Sequence, residues 1–223
     1  MRAALARWHA PSWKLVRCAE AGDKAGASAA IDGGAALETR VPSSSMTPLL
    51  LACERGHTEV LALLIGRGAD LSATDRDGWS GLHFAAQAGA TALATMLVDA
   101  GAAVNAVDRS GWSPLAHACA GGKADMASLL LSSGAAPDAG DEGGITPLMR
   151  ASLGGHAELI RIMLAAGADP AKMDGKGRSA VAHAATERAR KALGLASPRG
   201  AFARGALLGG RRGVAPACIM RTR

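Results

Sequence analysis

A hydroxyl residue recurs every 33 positions along this 223-residue chain, at Thr47, Ser80, Ser113, Thr146 and Ser179. The glycine two places earlier keeps the same step (Gly78, Gly111, Gly144, Gly177), and so does the small pair that follows, from Ala85-Ala86 to Ala184-Ala185. A fixed period of this size dictates a stacked array. One such unit is too small to bury its own apolar face and must lean on its neighbours. The expected body is therefore a single elongated one rather than two compact domains.

Each unit follows one plan. Ser or Thr followed by Pro, as in Thr47-Pro48, Ser113-Pro114 and Thr146-Pro147, starts a short helix: the hydroxyl accepts from an exposed amide, and proline sits where no N–H is needed. Gly56, Gly89, Gly122 and Gly155 stop it. A second helix carries paired apolar positions, such as Val60, Leu61, Leu63 and Leu64, or Leu159, Ile160, Ile162 and Met163, and ends at Gly68, Gly101, Gly134 or Gly167. The polar stretch up to the next hydroxyl holds an in-register Asp (Asp75, Asp108, Asp141, Asp174) and is an extended arm with a tight turn at its tip. Aromatics make up only 3% of the chain and Tyr is absent, so Ala, Leu, Ile, Val and Met must fill the core, which suits thin, closely packed helices.

Both ends depart from the pattern. Leu15 to Ala36 aligns with Leu49 to Asp70 at an offset of 34, giving a degenerate first unit whose linker, ETRVPSSS, lacks the usual glycine. The last copy has Arg188 at the glycine stop and no second apolar helix in phase. It is expected to be a cap of one helix with a charged outer face: Glu187, Arg188, Arg190 and Lys191. The boundaries are a 1–12 extension, an N-terminal cap at 13–45, and regular units at 46–78, 79–111, 112–144 and 145–177. A partial cap at 178–195 and a basic tail at 196–223 complete the chain.

The net charge of +6 belongs to that tail, whose six Arg face no acid; residues 1–195 carry 19 basic and 19 acidic side chains. Its Gly/Arg composition predicts disorder. It also offers an alternative function, binding of RNA or another polyanion through three Arg-Gly dipeptides, with Phe202 alone able to stack on a base. No apolar run approaches the roughly 18 residues of a membrane span. Arg2, Arg7, Lys14 and Arg17 precede the first acid, Glu20, a faint likeness to a transit peptide that merges at once into the first helix. The four Cys (18, 53, 119, 218) form no CxxC pair and are expected to be buried, inert thiols in an intracellular protein, cytoplasmic or nuclear.

No nucleophile elbow, P-loop or zinc-protease motif is present, so no enzyme and no cofactor is expected. His117 and His183 share a repeat position two units apart, too far for one metal ion. His57 and His156 follow helix-stopping glycines and are expected to hydrogen-bond loop backbone.

Two helices and a projecting turn every 33 residues, with T-P-L and G-H signatures, resemble the ankyrin repeat over about residues 13–194. The resemblance implies an all-α solenoid with β-turn arms, acting as a monomeric protein-binding adaptor or scaffold, or as the regulatory part of a larger protein. The family's T-P-L-H tetrapeptide has its His only at His83, so the hydroxyl-to-imidazole link is expected in that unit alone. Family partners bind the turn tips and the exposed face of the first helix, forming a concave groove. By register these positions are Met46 and Arg55; Arg76, Asp77, Trp79 and Gln87; Arg109, Ser110 and Trp112; Glu142, Ile145 and Leu153; Lys176 and Arg178. Trp79, Trp112, Ile145 and Arg178 occupy one position in successive units and are expected to line up along the groove. The segment before Asn105 partly resembles a site hydroxylated on some ankyrin repeats, with Ala103 in place of the preferred acid.

Overall fold

The structure, a computed structural model, describes residues 11–194. The tail at 196–223 with its polyanion-binding alternative, most of the 1–12 extension, and Cys218 lie outside the described residues. The described chain forms six helix pairs: α1 (Pro11–Ala21) with α2 (Lys24–Asp32), α3 (Pro48–Arg55) with α4 (Thr58–Gly66), α5 (Gly81–Ala88) with α6 (Thr91–Asp99), α7 (Pro114–Ala120) with α8 (Ala124–Ser132), α9 (Pro147–Leu153) with α10 (Ala157–Ala165), and α11 (Ala180–His183) with α12 (Glu187–Ala192). First helices pack side by side in one layer and second helices in another, giving an all-α solenoid.

The caps follow the residue types. Thr47, Ser113 and Thr146 accept from the backbone N–H of Leu50, Ala116 and Met149 at 3.4, 3.2 and 3.3 Å, each with Pro in the first turn. After α3 and α4 the chain turns at Gly56 and Gly68, with φ of +79° and +82°, a region open to glycine at no steric cost.

Leu49, Leu82, Leu115 and Leu148 on first helices and Leu61, Leu64, Leu93, Leu97, Leu130, Ile160 and Met163 on second helices are sealed from solvent. Ala85, Ala118 and Ala151, also buried, let the first helices approach closely. Cys18, Cys53 and Cys119 are buried and free, and burial pushes the thiols of Cys53 and Cys119 up to about 12, which keeps them protonated.

The ends differ from the sequence reading. The C-terminal unit has two helices, not one. α11 stops after four residues, where Ala184 takes an extended ψ of 103°, and Thr186 starts a new helix by accepting from Ala189 N at 3.1 Å. α12 packs on α10 and buries Ala189, so it fills the place of a second helix. At the other end α1 begins at Pro11, two residues before the boundary set at 13.

Ser45 stands in the register of Gly78 and is held at φ +61°. Its Cβ crowds the following carbonyl there. Replacing Ser45 with Gly should stabilise the chain by about 1 kcal/mol, read as a higher urea midpoint; an unchanged or lower midpoint would show that the first arm carries no such strain.

Candidate partner-binding face

Every arm after the first is folded by its own aspartate. One carboxylate oxygen, Oδ1, accepts two backbone N–H groups at 2.8 to 2.9 Å: Asp75 from Asp77 and Trp79, Asp108 from Ser110 and Trp112, Asp141 from Gly143 and Ile145, Asp174 from Lys176 and Arg178. Backbone bonds tie one arm to the next, from Arg76 N to Ser44 O (2.9 Å), Arg109 N to Asp77 O (3.0 Å) and Gly175 N to Gly143 O (2.7 Å). The approach is close: a Cβ on Gly78 would fall 3.0 Å from Arg109 N.

In three units the second oxygen reaches the first helix nine residues on. Asp108 meets His117 Nε2 at 2.9 Å, Asp174 meets His183 Nε2 at 2.9 Å, and Asp141 meets Arg150 Nη2. In the unit of Asp75 that position is Phe84. Sequence reasoning found the aspartates but missed these partners, although their constant spacing was the signal. Burial alone would raise the Asp108 carboxyl, but the bonds from His117, Trp112 N and Ser110 N outweigh it and hold the group below its ordinary range. Burial pulls His117 below the ordinary imidazole value, with Asp108 opposing. The carboxylate of Asp174 is held well below its usual range, first by the Arg178 N–H.

His83 is fully buried. Its Nε2–H donates to the Trp112 carbonyl at 3.0 Å, which leaves Nδ1 to accept from Ser80 N at 3.1 Å and from the Ser80 hydroxyl at 2.8 Å. This is the expected hydroxyl-to-imidazole link. Where His is replaced by Met149, the sulfur takes the Thr146 N–H at 3.5 Å.

Trp79 and Trp112 are half-buried and bridge units. Centroid distances run 5.2 Å from Phe84 to Trp79, 4.5 Å from Trp79 to His117 and 4.9 Å from His117 to Trp112, and the Arg150 guanidinium lies 3.1 Å above the Trp112 ring. Each indole therefore leans on the first helix of the following unit. Ile145 is half-buried, and Arg178 folds back so that its Nε bonds Asp174 Oδ2 at 3.0 Å.

Arg76, Asp77, Gln87, Arg109, Ser110, Glu142, Leu153 and Lys176 are exposed, Leu153 at 61%. Arg55 is exposed as well and pairs with Glu20 at 3.1 Å and Glu54 at 3.6 Å. Met46 is the correction. It is only 6% exposed, because below the irregular first arm its flexible apolar chain joins the core, and it offers a partner almost no surface. Val107 and Met173, at 57% and 66% exposure, are apolar arm residues not singled out from sequence.

His57 Nε2 bonds the Glu20 carbonyl at 3.1 Å, the backbone contact expected of it. His156 differs: its ring packs on glycines, and a Cβ on Gly122 or Gly154 would lie 2.6 or 2.4 Å from it. The Asn105 amide is engaged at both ends, donating to Gly134 O at 3.0 Å and accepting from Ala136 N at 2.8 Å, so it fastens its unit to the next. Among the described residues no group of three His, Cys, Asp or Glu is placed to hold a metal ion, and no helix is long and apolar enough to cross a membrane.

Comparison with known proteins agrees with this geometry. Protein phosphatase 1 regulatory subunit 12A of Mus musculus and of Rattus norvegicus is each 42% identical to the chain over 55 residues, 25% of this chain but only 5% of the relative's length. The family model described as ankyrin repeats (3 copies) matches in four overlapping placements, residues 15–108, 49–141, 82–174 and 117–195. With the capped helix pairs, the stacked layers and the arms in one register, these matches show that the chain belongs to the ankyrin repeat family.

Proposed function

We propose that the chain is a non-catalytic adaptor that binds a protein partner along the concave face formed by the arm tips and first helices. The observation carrying this reading is the pair Trp79 and Trp112, half-buried and locked between units, in the middle of a row of exposed tip residues. Trp is among the residue types that most often dominate interface energies, and a pre-formed surface loses little ordering entropy on association.

Affinity capture with mass spectrometry, comparing the intact chain with a Trp79→Ala/Trp112→Ala variant, tests it. Losing two central anchors at about 2 kcal/mol each, or roughly thirtyfold apiece, should weaken the principal partner by up to about a thousandfold. Leu153→Asp, which alters an exposed position, serves as a second variant that spares the core. If every captured protein persists with both variants, the reading is wrong. The 55-residue likeness to a phosphatase regulatory subunit favours one narrower version, in which the array is the docking part of a regulatory subunit and the captured partner is an enzyme.

A further inference from the structure

Charge on the partner-binding face is arranged asymmetrically. The four arm aspartates, which would repel an approaching acid, are turned inward: each takes two backbone N–H groups, and Asp108, Asp141 and Asp174 also take a side chain of the first helix. The tips expose Arg76, Arg109 and Lys176 against Asp77 and Glu142.

Beneath the tips lies a donor that the fold does not use up. Arg150 has a side chain only 10% exposed, and its one hydrogen-bond partner is Asp141, through Nη2. Among the described residues its Nε is buried with no partner, and its Nη1 has no hydrogen-bond partner and is not sealed from solvent. A buried unsatisfied donor is rare and calls for an explanation, and a guanidinium stacked on an indole is already oriented to meet a carboxylate. One turn further along α9, on the same helical face, Leu153 is 61% exposed. A cationic donor stacked on Trp112 and a large exposed apolar side chain thus stand one turn apart on one helical face.

We propose that the partner is a protein segment carrying a carboxylate beside a bulky apolar side chain, the carboxylate seated on Arg150 and Arg109 and the apolar group against Leu153 and the edge of Trp112. This rests on the reading of the face as a protein-binding surface and names the chemistry it selects. Arg109 attracts an acid, and Arg150, paired with Asp141 through Nη2, adds further N–H donors; the aspartates stay charged but have their oxygens engaged by hydrogen bonds within the chain. The apolar contact supplies the desolvated centre such an interface needs.

The probe is a phage-displayed library of random peptides selected against the full chain, with the enriched peptide then measured by fluorescence anisotropy. Enriched sequences should share Asp or Glu next to Leu, Ile, Met or an aromatic residue, and their binding should weaken as salt is raised. Arg109→Gln, which changes an exposed tip, should weaken the peptide about tenfold, the worth of one charge-assisted hydrogen bond; Arg150→Gln should do at least as much. Peptides that depend on Trp79 and Trp112 but share no acid would overturn this inference and leave the protein-binding reading standing. Absence of any Trp-dependent peptide would count against both. Displacement of the peptide by a single-stranded oligonucleotide at lower concentration than by free peptide would reassign the face to nucleic acid and overturn the inference too.

Discussion

Replacing Asp141 with Ala is expected to destabilise the array by about 3–5 kcal/mol, the cost of leaving a buried charge without its partner. Arg150 would remain stacked on Trp112 with its side chain about nine-tenths buried and no carboxylate to meet. The same substitution removes the acceptor for the N–H groups of Gly143 and Ile145, so the fourth arm loosens as well. Asp141→Asn separates the two effects, since its amide oxygen can still accept in the arm while the negative charge is gone; it should fall between wild type and Asp141→Ala. In an array whose units touch only their nearest neighbours the loss concentrates at one joint. The two C-terminal units should therefore unfold ahead of the others in urea, followed by circular dichroism and Trp fluorescence. Adding Arg150→Met to Asp141→Ala removes the stranded charge and should recover much of the stability. A double variant as unstable as the single one would show that the pair is not the source.

His83→Ala should cost about 2–3 kcal/mol, from the cavity of a fully buried ring and the unpaired Ser80 N–H. The same residue makes stability depend on pH. Burial pulls its imidazole below the ordinary value of about 6.5, chiefly because the ring has no solvent to support a charge, with the bond to the Trp112 carbonyl opposing. Nδ1 must stay unprotonated to accept from Ser80. An unfolded chain takes up a proton on His83 near pH 6.5 and the folded chain resists it, so acid favours unfolding. The stabilising contribution is whole above pH 6.5 and is lost as pH falls towards the depressed folded value. His117, also pulled down by burial, acts in the same direction. Urea midpoints should decline from pH 7 to pH 5 in wild type and decline less in His83→Ala. Equal slopes for the two proteins would contradict the neutral-imidazole account.

Much of the scaffold was legible because its determinants are local. The hydroxyl–Pro starts, the glycine stops and the apolar pairs each act within one unit, and the 33-residue step repeats the instruction. The ends were harder. A single cap helix was expected because the apolar pattern fails after Arg188, yet Thr186 supplies a start signal, and one buried Ala189 suffices when α10 offers the other half of the contact. Met46 was placed on the surface by register alone, and register does not report that the first arm is irregular.

The sequence by itself determined the period, the helix pairs, the arms and the family, since all of these follow from residue spacing along the chain. Only the tertiary structure decided which side chains meet across units. The nine-residue couples of Asp108 with His117 and Asp141 with Arg150 depend on an arm folding back over a helix. The indoles come to rest on the first helix of the following unit, and against Trp112 Arg150 keeps a nitrogen with no partner among the described residues. Such contacts are set by the angle at which one unit stacks on the next, a quantity that no single repeat encodes.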